Sequence, residues 1–213
     1  GTGQVTENYL VADVYTGDAS VKYTPDQRTM VQNNTPAMQR AVISANDVVM
    51  YYKNGTRYVV TLTDQDGNPL VKKTVILTIN NVTYTRTTKD DGTASLAINL
   101  DSGNYTASAS YVGESGYTNA SITNNITVLT TIYGNDLVKM FRNGTQYYAT
   151  FLDLQGNLLV DTKVTFNING VMYQRTTNAD GVAKLNINLQ AGKYIITASY
   201  GQARISNTVT VTA

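Results

Sequence analysis

One stretch of sequence occurs twice in this chain, and any fold must accommodate both copies. Residues 46–111 (NDVVMYYKNGTRYVVTLTDQDGNPLV through DGTASLAINLDSGNYTASASY) return as residues 135–200 (NDLVKMFRNGTQYYATFLDLQGNLLV through DGVAKLNINLQAGKYIITASY). The offset is a constant 89 without a gap, and 33 of the 66 paired positions are identical. Self-similarity at a fixed period marks a tandem array of like units. The 213 residues then divide into an N-terminal extension or remnant of a preceding domain (1–45), a first domain (46–131) and a second (132–213), each large enough for one small core.

Within each copy the apolar residues alternate, which is the period of a half-buried strand. Tyr58, Val60 and Leu62 share one face; Val75, Leu77 and Ile79 share the next, and Asn80-Asn81 turns the chain before Val82 and Tyr84. Ala94, Leu96, Ile98 and Leu100 follow the Asp91-Gly92 turn. Tyr105, Ala107, Ala109 and Tyr111 come next, then Ile122, Ile126 and Val128. The second copy keeps this phase, with Asn169-Gly170 as a type I′ hairpin signal where the first has Asn80-Asn81. About seven short strands per 80 residues, each with one apolar face, predict an all-β chain of two tandem Ig-like β-sandwiches. A six-stranded barrel is the less natural alternative. The join at 128–134 has no Pro- or Ser-rich spacer, so the domains are expected to stand end to end.

Composition removes whole classes of chemistry. There is no Cys and no His, which excludes thiol nucleophiles, disulfides, imidazole acid–base catalysis and Cys/His metal sites. Sixteen basic residues against 15 acidic ones make no field of one sign, so no nucleic acid partner and no membrane contact are expected. Ser and Thr have no base to activate them and paired carboxylates occur only in turns, so no catalytic residue, cofactor or metal is assigned. Gly1-Thr2-Gly3 opens no export signal, and any signal or anchor is expected outside this chain.

Residues 1–45 match neither copy. Residues 9–15 and 20–23 could form short strands, and Thr35-Pro36 reads as the start of a short helix over about 36–43, with Met38 and Val42 on one side.

Several motifs have both a functional and a plain structural reading. Asp64-Gln65-Asp66-Gly67-Asn68 has the opening of a calcium loop, but it lacks a distal bidentate Glu, and the second copy (Asp153-Leu154-Gln155-Gly156-Asn157) drops a carboxylate; an Asx turn explains both. Asn-x-Ser/Thr triplets at Asn33, Asn54, Asn81, Asn104, Asn119, Asn125 and Asn143 are possible glycosylation sites on an exported chain. Tyr51, Tyr52, Tyr117 and Tyr133 are candidate contact residues, though most Tyr of a sandwich serve its rim or core. After Tyr111 the first copy is about six residues longer than the second. The insertion makes Gly113, Glu114, Ser115, Gly116 and Tyr117 a possible contact loop at one end of the sandwich. Glu114 is also the one acidic residue placed to assist a Lys–Asn amide crosslink.

The repeat, above all FRNGTQYYATFLDLQGNLLVDTKVTFNINGVMYQRTTNADGVAKLNINLQAGKYIITASY at 141–200, resembles the Ig-like repeats of adhesin-like surface proteins of methanogenic archaea. The ordered series Asn-Gly-Thr, Gly-Asn, Asn-Gly-Val (Asn80-Asn81-Val82 in the first copy), Asp-Gly and Gly-x-Tyr carries the resemblance over both copies and leaves 1–45 outside it. It implies a non-enzymatic, extracellular, cell-surface glycoprotein that attaches to other cells or to surface glycans and proteins, and it carries over no binding residue. A structural stalk and a pilus-like subunit assembled by strand addition are the competing expectations.

Overall fold

The computed structural model describes residues 37–213 apart from Ser115. The first repeat folds as β1 (Val42–Ala45), β2 (Val48–Tyr51), β3 (Arg57–Thr63), β4 (Thr74–Ile79), β5 (Val82–Thr87), β6 (Thr93–Ala97), β7 (Gly103–Tyr111) and β8 (Ala120–Leu129). The second follows with β9 (Ile132–Gly134), β10 (Leu137–Met140), β11 (Gln146–Phe151), β12 (Lys163–Ile168), β13 (Val171–Thr176), β14 (Val182–Asn186), β15 (Gly192–Tyr200) and β16 (Ala203–Thr212). Each repeat is a sandwich of a three-stranded and a five-stranded sheet, ordered β1-β3-β6 over β2-β8-β7-β4-β5 and β9-β11-β14 over β10-β16-β15-β12-β13. All pairings are antiparallel except β2 with β8 and β10 with β16. The described residues are therefore all-β, two tandem Ig-like sandwiches of eight strands each rather than about seven.

The additional strand arises because the first strand of each repeat changes sheet. β1 pairs with β3, and after the repeated Asn-Asp dipeptide (Asn46-Asp47, Asn135-Asp136) the chain crosses to pair as β2 with β8. This places residues 41–45 in the first sandwich: Ala41 and Ile43 are buried in its core, and Ile132 of β9 sits 89 residues beyond Ile43. The expected helix over about 36–43 is not formed in its described part. Gln39 instead makes a bridge to Tyr117, and β1 begins at Val42. Burial there follows a period of two, with Ala41 and Ile43 inside and Met38 60% exposed, because the segment is held by hydrogen bonds to a neighbouring loop rather than to itself. The strands expected at 9–15 and 20–23 lie outside the described residues.

The alternating faces fill two separate interiors. Tyr58, Val60, Leu62, Val75, Leu77 and Ile79 meet Ala94, Leu96, Ala107, Ala109, Ile126 and Val128 in one. Tyr147, Phe151, Phe166, Leu185, Ile196 and Val209 centre the other. Each large side chain buried this way contributes about 1.5–3 kcal/mol relative to exposure. One face departs from expectation. Val82 and Tyr84 of β5 and Val171 of β13 are exposed, since both strands edge the five-stranded sheet where the three-stranded sheet does not reach across. Both hairpins leading to these edges have positive φ at their two central residues, Asn80 and Asn81 (52° and 64°) and Asn169 and Gly170 (52° and 76°), as a type I′ turn requires. Among the described residues no helix is long and apolar enough to cross a membrane.

Candidate functional site

The one large length difference between the repeats lies between their last two strands. β15 and β16 are joined by Gly201-Gln202, whereas residues 112–119 join β7 to β8. This long loop is tied to the chain that precedes β1. Gln39 N–H donates to Gly116 O (2.7 Å) and Thr118 N–H to Gln39 O (2.9 Å), and Ala41 N–H donates to Thr118 Oγ1 (3.2 Å). Inside the loop Tyr117 N–H reaches Glu114 O (3.1 Å), and Asn119 Oδ1 accepts from Gly113 N–H (2.6 Å). A Cβ at Gly113 would come within 2.5 Å of the Thr118 carbonyl carbon, so the loop closes this tightly only with glycine there. Side chains fasten its outer surface: Lys73 Nζ lies 4.0 Å from Glu114 Oε1 and 6.0 Å from the centre of the Tyr117 ring.

The loop changes the residue beneath it. Tyr111 is 2% exposed, while its counterpart Tyr200, with only the two-residue turn nearby, is 41% exposed. The Tyr111 hydroxyl has no hydrogen-bond partner among the described residues, and burial pushes its pKa up. Gly113, Glu114, Gly116 and Tyr117 thus form a pinned loop whose Tyr117 is half-buried against the first core, and Ser115 lies outside the described residues.

The remaining candidates fall in several places. Asn81, Asn104, Asn119, Asn125 and Asn143 are exposed; Asn54 is half-buried, and Asn33 lies outside the described residues. Asn54 Oδ1 accepts from Thr56 N–H (3.0 Å) and Asn143 Oδ1 from Thr145 N–H (3.1 Å), the same Asx turn in both repeats. The calcium-like turns are built alike. Asp64 Oδ1 accepts from the amides of Asp66 and Asn68 (both 2.9 Å), and Asp153 Oδ1 from those of Gln155 and Asn157 (both 2.9 Å). The Asn68 and Asn157 amides are the leading cause of the lowered pKa of Asp64 and Asp153. Both carboxylates are engaged in closing turns. Glu114 is 59% exposed and faces Lys73, and among the described residues no lysine ammonium hydrogen-bonds an Asn side chain, so the geometry of a Lys–Asn crosslink is not assembled. Tyr133 is 46% exposed on β9, while Tyr51 and Tyr52 are half-buried where the two repeats join.

Two polar arrangements escaped the reading of the sequence. In each repeat a buried tyrosine, an asparagine of the last strand and the aspartate of the Asn-Asp crossing form a relay. Tyr58 donates to Asn124 Oδ1 (2.7 Å), whose Nδ2 donates to Asp47 Oδ1 (3.0 Å), which also accepts from Asn125 N–H (3.0 Å). Tyr147, Asn207, Asp136 and Thr208 repeat it at 2.5, 3.2 and 2.9 Å. Burial, seconded by the nearby aspartate, pushes both tyrosines up to about 12. The amides of Asn125 and Thr208 hold Asp47 and Asp136 below the ordinary carboxylate value. The relay clamps the crossing strand to the last strand. The second arrangement belongs to repeat two alone: Lys139, 4% exposed, donates to Asn143 O (2.9 Å) and Ile187 O (2.6 Å). The duplicated Asn-Asp dipeptide was the available signal for the relay, and the pairing of Met50 with Lys139 at one offset was the signal for the buried ammonium.

Residues 43–114 match the family model described as macroglobulin domain MG4, about a third of the chain. No curated protein matches. Solved structures similar to this chain include a 1.5-MDa bacterial ice-binding adhesin associated with host cell surface retention, at 19% identity and TM-score 0.34 over 82% of this chain and 65% of that one. They also include the fibronectin(III)-like modules of Clostridium thermocellum CbhA (16% identity, TM-score 0.30, 80% of this chain and 94% of that one). A further one is a Ca2+-stabilized adhesin with which an Antarctic bacterium binds ice (20% identity, TM-score 0.32, 83% of this chain and 50% of that one).

Proposed function

We propose that the chain is a non-enzymatic, extracellular piece of a cell-surface adhesin, and that the first sandwich contacts other cells or their surface glycans and proteins through the loop at 112–119. The observation that carries this reading is the loop itself. Two copies of one scaffold differ by six residues at one place, and the longer version is held by hydrogen bonds from residues 39–41 and by Lys73. Holding a loop in one shape before contact lowers the ordering cost of binding, which a spacer has no need to do. The exposed triplets at Asn81, Asn104, Asn119, Asn125 and Asn143 are open to glycosylation under this reading.

The test is attachment of the purified, fluorescently labelled full chain to whole cells. Saturable binding is expected, and replacing Val112–Asn119 by Gly-Gln, the turn of the second repeat, should reduce it at least tenfold while both repeats stay folded. A stalk would show no saturable attachment with either chain. The strand-addition reading has a specific motive in the uncovered edges β5 and β13. It predicts concentration-dependent assembly that is lost when residues 1–36 are removed.

A further inference from the structure

At the junction of the repeats a cleft of about 700 Å3 opens between Tyr52, Lys53, Asp101, Ser102 and Thr130 of the first sandwich and Gly201–Arg204 of the second. β7 starts beside it at Gly103 and runs to Tyr111, so the cleft and the 112–119 loop occupy opposite ends of the first sandwich. Both sides are held in register. Lys53 Nζ donates to Gln202 Oε1 (3.4 Å), and Leu152 N–H donates to Thr131 O (2.7 Å). Gly156, at φ +87°, makes room for the Tyr51 ring, whereas its counterpart Gly67 faces open space. Glycine at 156 leaves room for the Tyr51 ring to lie against the second repeat.

We propose that this cleft is a binding site for a carboxylated saccharide. Its volume is in the range of small-molecule sites, which concentrate where domains meet. The lining is charged and hydroxyl-rich, which disfavours an apolar occupant because each of these groups would lose its water without replacement. Two cations, Lys53 and Arg204, and one carboxylate, Asp101, line the cleft. Among the described residues neither cation is in an ion pair. That pair of cations suits a carboxylate, with the Arg204 fork able to take both oxygens. Asp101 accepts hydrogen bonds and would repel the closely spaced charges of a polyphosphate, so it selects for the sugar hydroxyls that flank each carboxylate of an acidic saccharide. Tyr52, with Lys53 Nζ 5.5 Å from its ring centre, adds a wall that is apolar with a polar rim. A uronic-acid unit presents this combination: one carboxylate, several hydroxyls and an apolar ring face.

The site is independent of the 112–119 loop, and the experiment separates the two. The full chain is titrated with a trisaccharide of galacturonic acid, with the neutral galactose trisaccharide and with inorganic phosphate, following backbone amide shifts by NMR. Saturable shifts are expected at Lys53, Ser102, Thr130 and Gln202 with the acidic trisaccharide. The neutral one should bind at least tenfold more weakly, and phosphate should not displace the acidic one. Lys53→Ala and Arg204→Ala should each weaken binding tenfold or more, with the rest of the spectrum unchanged, while the chain carrying Gly-Gln at 112–119 should bind the trisaccharide as the parent does. Absence of shifts overturns the proposal. So does equal affinity for the neutral trisaccharide, displacement by phosphate, or affinity unmoved by both substitutions.

Discussion

The two sandwiches share strand order, hairpins and the Tyr–Asn–Asp relay, yet they solve several local problems differently. Where the first repeat places Leu62 and Leu77, the second places Phe151 and Phe166, whose rings meet at 6.2 Å while Tyr147 stands edge-on to Phe166 at 5.8 Å. Where the first buries Met50, the second buries Lys139 under two carbonyls. Where the first covers Tyr111 with a loop, the second leaves Tyr200 at the surface. The positions that repeat without change include turn residues such as Asn54-Gly55-Thr56 and Asp91-Gly92, the Asp47 and Tyr58 of the clamp, and buried residues such as Val75, Leu96 and Ala109. The turns and the clamp set the path of the chain. The interior has to be apolar and filled, and more than one set of side chains satisfies that demand.

Emptying one interior should leave the other intact. Phe166→Ala should cost the second repeat about 3–5 kcal/mol and Leu77→Ala the first about 2–5 kcal/mol, the range for large core truncations. Because the buried clusters are separate, hydrogen exchange read by mass spectrometry should show lost protection only in peptides of the altered repeat. Equal loss in both would mean that the repeats unfold as one unit.

A smaller effect probes Met50 against Lys139. Lys139→Ala removes packing and strands the buried Ile187 carbonyl and the half-buried Asn143 carbonyl, which should cost about 2–4 kcal/mol. Lys139→Met, the solution of the first repeat, restores the packing and should cost about 1–2 kcal/mol for the carbonyls alone. The reverse exchange sharpens the point. Met50→Lys buries an ammonium whose counterpart acceptors would be the carbonyls of Asn54 and Ile98, 89 residues before Asn143 and Ile187. If the two backbones present the same frame, thermal unfolding should show Met50→Lys to be no worse than about 2 kcal/mol. A loss of 3–5 kcal/mol, the penalty for an uncompensated buried charge, would show that the frames differ.

Most of the fold could be read from the sequence because strand alternation is a local signal, and in this chain it is written twice. Tyr58, Val60, Leu62 and their partners 89 residues on needed no tertiary information to be placed on an inner face. Val82 and Tyr84 alternate just as cleanly but lie outside the core, since which strand ends a sheet depends on pairing across the whole domain. The segment before β1 was missed for a related reason: Thr35-Pro36 is a local helix signal, and the hydrogen bonds that hold Gln39 and Ala41 extended come from Gly116 and Thr118, some 77 residues away. The 112–119 loop was visible as a length difference between copies. Its fastening by Lys73 and the junction cleft were not, because each needs side chains from strands or repeats that only the fold brings together.

The finest comparison lies in the relay, where the two repeats should behave alike. Asp47 and Asp136 are both held below 3.8, chiefly by a backbone N–H of the last strand and next by an asparagine amide. A carboxylate depressed in the folded state adds stability above its unfolded value and loses it as pH falls through the folded one. The contribution should therefore be complete above about pH 4 and fade below it. Asp47→Asn and Asp136→Asn should each flatten the acid limb of stability against pH, to the same degree and each in its own repeat, with both aspartates exposed enough that the change near neutrality stays small. The tyrosines titrate in the opposite sense. Raised from 10.0 to about 12, Tyr58 and Tyr147 stay protonated in the folded chain over a range where the unfolded chain ionises, so stability should fall as pH climbs from 10 toward 12. Tyr58→Phe and Tyr147→Phe should remove that alkaline slope, again equally. A slope lost in one repeat and kept in the other would mean that the clamp, like parts of the interior, differs between the copies.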